Sequence, residues 1–388
     1  MELIFNPCIA ELKPSASVEL MEKAKLMKSQ GIDVISLAGG EPNFDTPARI
    51  SCAAIKGLLD GNTHYVTAAG LLPLRERIAE ALYEENGITC AAENILVTPG
   101  GKFAIYAAVR TLLCPEDEVL IPTPSWVSYN AIVRAAGGIP VSIHLRYEDN
   151  YAITKEALEK ACTPRTRMLI VNTPNNPTGR MLTQQEAELL TTFAQEHGLI
   201  IISDEIYSKL VYDGRRHISL ASFPRATDYV ITVNGFSKFA AMTGWRVGYL
   251  CACKEIVSRI QKLYQHTMTC IPGFIQDAAL EAFNCTEEVS KMLEEYTRRR
   301  EAFITALNRI NGVEVRLPEG AFYALVCFKN TDMSSAELAD FLLEKVKVVG
   351  IPAAAFSSED PCVRFSFAAS MEDLLAAAER IGAAAEML

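Results

Sequence analysis

The chain has 388 residues, 49% of them apolar and 22% charged, proportions that exclude a disordered, collagenous or coiled-coil protein and suggest two or three domains. Forty-seven acidic against 37 basic residues give a formal charge of −10 with no block of Lys and Arg, which argues against nucleic acid or an anionic membrane as partner. No stretch approaches the roughly 18 apolar residues of a membrane span, no signal peptide is seen, and eleven scattered cysteines without a CxxC pair predict free thiols in a cytoplasmic protein.

Through the middle of the chain, short β-branched runs alternate with helix-length segments. ILVTPG (95–100), EVLIP (118–122), MLIVNTP (168–174), LIIISDE (199–205), YVITVNG (229–235) and VGYLCAC (247–253) read as strands. Being apolar at nearly every position, they need cover on both faces, the condition of a mostly parallel sheet flanked by helices in an α/β fold. QQEAELLTTFAQEHG (184–198) is one such helix, apolar on one face and closed by Gly198. From Val289 the texture changes. A long amphipathic helix runs to the Asn311-Gly312 turn, followed by strand-like Val313–Leu317, Ala321–Phe328 and Cys362–Phe367 and by helices over 334–346 and 371–387. This order predicts a large domain (41–285) followed by a small α+β domain (286–388).

Four motifs stand at strand ends. Gly100-Gly101-Lys102 opens a helix, where backbone N–H groups make an anion site. It is not a P-loop, because Leu96 and Phe103 replace the required Gly and Ser/Thr, and taken alone it is a tight turn. Thr173-Pro174-Asn175-Asn176-Pro177-Thr178-Gly179 follows a buried strand at the edge where such sheets place ligands. Asp204 closes another strand, either as a helix cap or as a site acid, with Tyr207 three residues on. Lys238 sits among small and apolar residues in Asn234-Gly235-Phe236-Ser237-Lys238, a setting that lowers an amine's pKa and makes it a nucleophile; Arg246 offers an anion partner.

Together these motifs resemble those of the class I/II aminotransferases, pyridoxal-phosphate enzymes of fold type I, most closely the bacterial aspartate and aromatic aminotransferase-like subgroup. The likeness runs from Ile35-Ser36-Leu37-Ala38-Gly39-Gly40-Glu41-Pro42 to Val363-Arg364-Phe365-Ser366, with the lysine segment matching from Gly235 to Gly248. It implies a large domain with a mostly parallel seven-stranded sheet plus a smaller α+β domain, with residues 1–40 as an N-terminal arm and part of the small domain. It also implies transfer of an amino group from an L-amino acid to a 2-oxo acid, with pyridoxal 5′-phosphate held as a Schiff base on Lys238, which then shuttles the proton.

The resemblance assigns Asp204 to the ring nitrogen and Tyr207 and Asn176 to the phenolic oxygen. Trp126 stacks on the ring. The phosphate falls to Gly101 and Lys102 backbone N–H groups, Ser237 and Arg246. Gly100, Lys102 and Gly235 stand where the family usually has Ser or Thr. The substrate carboxylate falls to Arg364, with Gly40, Asn176 and Trp126 beside it. Tyr65 matches a tyrosine that reaches the neighbouring subunit's phosphate, implying a homodimer with shared sites.

A β-lyase or an aminocyclopropane-carboxylate-synthase-like enzyme would use the same parts, and a ligand-sensing regulatory domain is the remote alternative. No metal site is expected from five dispersed histidines. Thr123-Pro124 and Asn176-Pro177 are expected to be cis. Thr267–Pro272 carries Met268, Cys270 and Ile271 and no cation, so neutral or aromatic donors are expected alongside any dicarboxylic ones.

Overall fold

The computed structural model describes residues 3, 5–10, 12, 14 and 16–388. Its first strand, β1 (Ile35–Ser36), waits for a partner that comes three hundred residues later. The next seven are β2 (Ile95–Thr98), β3 (Glu118–Thr123), β4 (Ile139–His144), β5 (Thr166–Asn172), β6 (Ile200–Asp204), β7 (Val230–Gly235) and β8 (Gly248–Cys251). They form one sheet in the order β2-β8-β7-β6-β5-β3-β4, in which only β8 opposes the common direction.

Both faces of this sheet are covered, which explains why its strands carry so few polar residues. In β5, Leu169 and Val171 join the apolar cluster that holds Leu190 and Phe193 of helix Gln184–His197. Met168 and Ile170 point the other way, into the cluster of Ile105 and Ile132. Fully burying each such side chain is worth about 1.5–3 kcal/mol, so a charge at Leu169 or Ile170 would break the sheet at its centre. The helix itself starts on a reciprocal cap: Thr183 Oγ1 accepts from Glu186 N, and Glu186 Oε2 accepts from Thr183 N. Six of the seven strands fall on the sequence runs. The seventh, β4, is an edge strand, half exposed over most of its length and interrupted by Pro140, so it lacks the apolar density that marks its neighbours.

The remaining strands are β9 (Val313–Val315), β10 (Tyr323–Phe328), β11 (Val348–Val349), β12 (Ile351–Pro352) and β13 (Cys362–Ser366). β11 pairs in parallel with β1, while the others form an antiparallel sheet in the order β12-β13-β10-β9. Helices Thr286–Leu307, Ser335–Val346 and Met371–Ala385 supply Phe303, Leu342 and Ile381 to its core, within one turn of their sequence-derived bounds.

One expectation is corrected here. Cys327 and Cys362, opposite one another on β10 and β13, are joined in a disulfide, while the other nine cysteines are free. Sequence scatter hid the pairing, because strand register and not sequence spacing brings two residues 35 apart face to face. Thr123-Pro124 and Asn176-Pro177 are cis, as is Thr173-Pro174, which the sequence reading did not single out. Among the described residues no helix is long and apolar enough to cross a membrane.

Candidate active site

The carboxyl ends of β2, β3, β5, β6 and β7 share one edge of the large sheet, and β8 starts there. A cavity of about 340 Å³ opens at that edge, closed on its far side by β13 and the segment after β1. All the residues to which the resemblance gave a cofactor or substrate contact line it except Tyr65; Gly100 and Gly235 come just before wall-forming residues in the chain. Tyr65 lies between two helices with 86% of its surface exposed, outside its own chain's cavity.

Asp204 ends β6 and is buried. Its Oδ2 accepts from the Tyr129 hydroxyl at 2.6 Å and its Oδ1 from Ile206 N at 3.2 Å. Burial pushes this carboxyl up to about 6 from an ordinary 3.8, although both hydrogen bonds pull the other way. Beside it in register stands Asn172 at the end of β5, whose Nδ2 donates to the Asp204 carbonyl and whose Oδ1 accepts from Asn176 N at 2.7 Å. Asn172 thus places the loop that carries Asn176.

Lys238 follows β7, partly buried, and its Nζ donates to the Gly40 carbonyl at 2.6 Å. Burial lowers its pKa from 10.5 to about 8, so the amine gives up its proton more readily than an exposed lysine. Buried Ser237 precedes it. Helix Gly100–Leu112 begins at the same edge, and Gly101 and Lys102 of its unpaired first turn line the cavity with Arg246. Gly100 has φ +78°, and a Cβ there would lie 3.0 Å from the Arg246 guanidinium, so a larger residue would intrude on the space between helix start and arginine. Arg246 makes no ion pair among the described residues; its NH1 donates to the Thr243 carbonyl.

Arg364 comes from β13 and is 2% exposed. NH1 donates to Asn176 Oδ1 at 2.9 Å and NH2 to the Ala38 carbonyl at 2.7 Å, while Nε has no partner. Its guanidinium lies between the rings of Tyr323 and Phe356, at 4.4 and 5.0 Å. No carboxylate pairs with it among the described residues, which removes the structural ion pair as its explanation. Trp126 meets Tyr129 edge-on, and the ammonium of the exposed Lys102 stands 5.0 Å over the Trp126 ring. This side chain enters the cavity wall as a cation, beyond the backbone role that resemblance assigned to it.

Sequence reasoning passed over Tyr129, Asn172 and Tyr323, all on the cavity wall. Tyr129 carried one available signal: it follows Trp126 by three residues at a helix start, the spacing that shares a face. Asn172 and Tyr323 gave none, being single polar atoms in apolar runs. Segment Thr267–Pro272 does not line its own chain's cavity; Ile271 is buried and Met268 is 41% exposed.

Residues 32–381 match the family described as aminotransferase class I and II. The chain is 40% identical over 374 residues to an aspartate aminotransferase of Musicola paradisiaca strain Ech703, spanning 95% of this chain and 94% of that one. It is likewise 40% identical over 377 residues to aromatic-amino-acid aminotransferase 2 of Thermococcus litoralis, spanning 95% and 97%. The structure of aspartate aminotransferase from Thermus thermophilus with maleate superposes with a TM-score of 0.94 at 37% identity, over 99% of this chain and all of that one.

Proposed function

The chain belongs to the aminotransferase class I and II family and is a pyridoxal-phosphate-dependent transaminase, and on that premise we propose the part each cavity residue plays. The relatives favour transamination over the β-lyase and cyclopropane-synthase chemistries and over a sensing domain. When bound, the cofactor supplies an electron sink for the substrate's α-carbon.

The residues present suit such a group. Asp204 is a buried carboxyl short of a cation, fitted to hold a protonated ring nitrogen. Lys238 is the amine for covalent attachment, and once displaced it moves the proton at the α-carbon. Tyr207 and Asn176 would donate to the phenolic oxygen, and Trp126 would cover the ring. The start of helix Gly100–Leu112, with the Gly101 and Lys102 N–H groups, Ser237 and Arg246, takes the phosphate dianion. Arg364 takes the substrate's α-carboxylate, with Gly40, Asn176 and Trp126 beside it.

The observation that carries this reading is Arg364: a buried guanidinium with two neutral acceptors, a partnerless Nε and no counter-ion, facing the same cavity as Lys238. A buried charge is costly unless an anion meets it. A substrate carboxylate is that anion.

We also propose a cytoplasmic homodimer with shared sites, and an arm (1–40), large domain (41–285) and small domain (286–388). Ile55, Leu58 and Leu59 lie on one face of helix Ala48–Leu59 and are exposed, with Tyr65 and Leu72 nearby in sequence; a second copy would cover them and receive Tyr65 at its phosphate. The large sheet lies within 95–251 and the smaller antiparallel sheet within 313–366. Nine free cysteines against one disulfide support the compartment.

For the amino donor, Lys102 offers a cation to a dicarboxylic side chain and Trp126 an apolar face to an aromatic one, so both classes should react. The test is an amino-donor panel with 2-oxoglutarate and pyruvate as acceptors, read by product mass. New amino acids formed from dicarboxylic and from neutral or aromatic donors are expected. Released ammonia without a new amino acid would overturn transamination, and reaction of aspartate and glutamate alone would overturn the donor range.

A further inference from the structure

Tyr323 begins β10 and is buried, 1% exposed. The turn before it is tied on two sides: Gly320 N donates to the Gly179 carbonyl, and Ala321 N to that of Leu210. Those bonds seat Tyr323 between the loop that carries Asn176 and the segment that carries Tyr207. Its hydroxyl lies 3.0 Å from the Tyr207 hydroxyl, the rings meeting edge-on with centroids 5.7 Å apart. Its ring face lies 4.4 Å from the Arg364 guanidinium. A Cβ at Gly40 would stand 3.2 Å from its hydroxyl oxygen. One side chain therefore touches Tyr207 and Arg364, both assigned above to cofactor or substrate, and fills the space beside Gly40.

A phenol donates one hydrogen bond and accepts two. On the proposed reading, the proton of Tyr207 is committed to the cofactor's phenolic oxygen. The lone pairs of Tyr207, buried with it, then need a donor, and the Tyr323 hydroxyl is the side-chain partner within reach among the described residues. Donation into Tyr207 polarises its own O–H and strengthens the bond it makes onward. The ring's negative face meanwhile carries the arginine that lacks a counter-ion.

We propose that Tyr323 is a positioning residue for transamination, its hydroxyl directing and strengthening the Tyr207 donor and its ring face supporting Arg364. This rests on the reading of the cavity as a cofactor site. Removing the hydroxyl alone acts through Tyr207, whereas removing the ring also loosens Arg364.

The experiment is a pH titration of the visible absorption of the loaded protein, in wild type, Tyr323→Phe, Tyr207→Phe and the double variant. A hydrogen bond to the phenolic oxygen stabilises its negative charge when the proton shared with the Lys238 nitrogen leaves, so a weaker bond raises the midpoint. Tyr323→Phe, which keeps the ring, should raise it by about half a unit, some threefold in the proton equilibrium. Tyr207→Phe should raise it by roughly one unit, and the double variant should move no further than Tyr207→Phe.

Tyr323→Leu should in addition weaken binding of 3-phenylpropionate, a non-reacting carboxylic acid, by about tenfold, while Tyr323→Phe leaves it within about twofold. An unmoved midpoint in Tyr323→Phe overturns the proposal, as does an equal shift in the Tyr207→Phe background. If Tyr323→Leu fails to fold, the Tyr323→Phe titration decides alone. A wild-type protein that never colours with the cofactor would sink the function itself, an outcome distinct from a coloured protein with an unmoved midpoint.

Discussion

Asp204 and Arg364 are buried charges facing one cavity, yet they are held in opposite ways. Asp204 draws its partners from the large sheet and its neighbouring helix: Tyr129 and Ile206 donate to its carboxyl, and Asn172 steadies its backbone. Arg364 is assembled from distant pieces, the carbonyl of Ala38 and the amide of Asn176, and one nitrogen stays without an acceptor. The difference follows from what each end must bind. A cofactor that stays can be met by groups fixed in advance on one sheet edge. On the proposed assignment, a substrate that comes and goes leaves Arg364 short of an anion between visits, supported by two aromatic rings and two neutral oxygens.

If the two ends are separate, single substitutions should divide cleanly between them. Arg364→Ala should cost about 2–5 kcal/mol of substrate binding, seen as a raised KM for donor and acceptor alike, with cofactor affinity unchanged. Tyr129→Phe should do the reverse. Losing a hydrogen bond to a charged carboxyl costs about 1.5–3 kcal/mol, which should appear as a weaker Kd for the cofactor at unaltered KM. Steady-state kinetics at saturating cofactor, with cofactor Kd measured by absorbance, would show the division. If both variants move both constants, the comparison fails.

A smaller effect is expected in the pH dependence of stability. Burial raises the Asp204 pKa to about 6 from 3.8, so the empty protein pays for ionising it and loses stability as pH climbs through that interval. Burial lowers the Lys238 pKa to about 8 from 10.5, so its ammonium is penalised in full below about 8 and relieved above. Both penalties coincide between about pH 6 and 8. A cofactor that pairs with the one group and bonds to the other removes both, so its stabilisation should peak in that window. Unfolding midpoints with and without cofactor, from about pH 5 to about pH 10, test this. A pH-independent difference would mean that neither group is relieved by the ligand.

The same contrast governs what could be read in the chain. The buried strands of the large sheet were legible because cover on both faces demands apolar runs, and Gly100, Asp204 and Lys238 were legible because each breaks the texture at a strand end. The edge strand β4, exposed on one side, had no such texture. Arg364 was named through the resemblance, but its partners were invisible, lying 188 and 326 residues away. Tyr323 looked like any aromatic in an apolar strand, since only the fold sets its hydroxyl against that of Tyr207. The Cys327–Cys362 disulfide was missed for the same reason: it is a property of β10–β13 register.

The central claim is that Lys238 is the residue to which the cofactor attaches. Reduction of the loaded, coloured protein with borohydride, followed by proteolysis and mass mapping, tests it directly. The pyridoxyl label is expected on the peptide containing Lys238, and no label there in Lys238→Ala, whose transamination should fall by at least about 10²–10⁴-fold through the lost proton transfer alone. A label on any other lysine, Lys102 included, with Lys238 unmodified would contradict it.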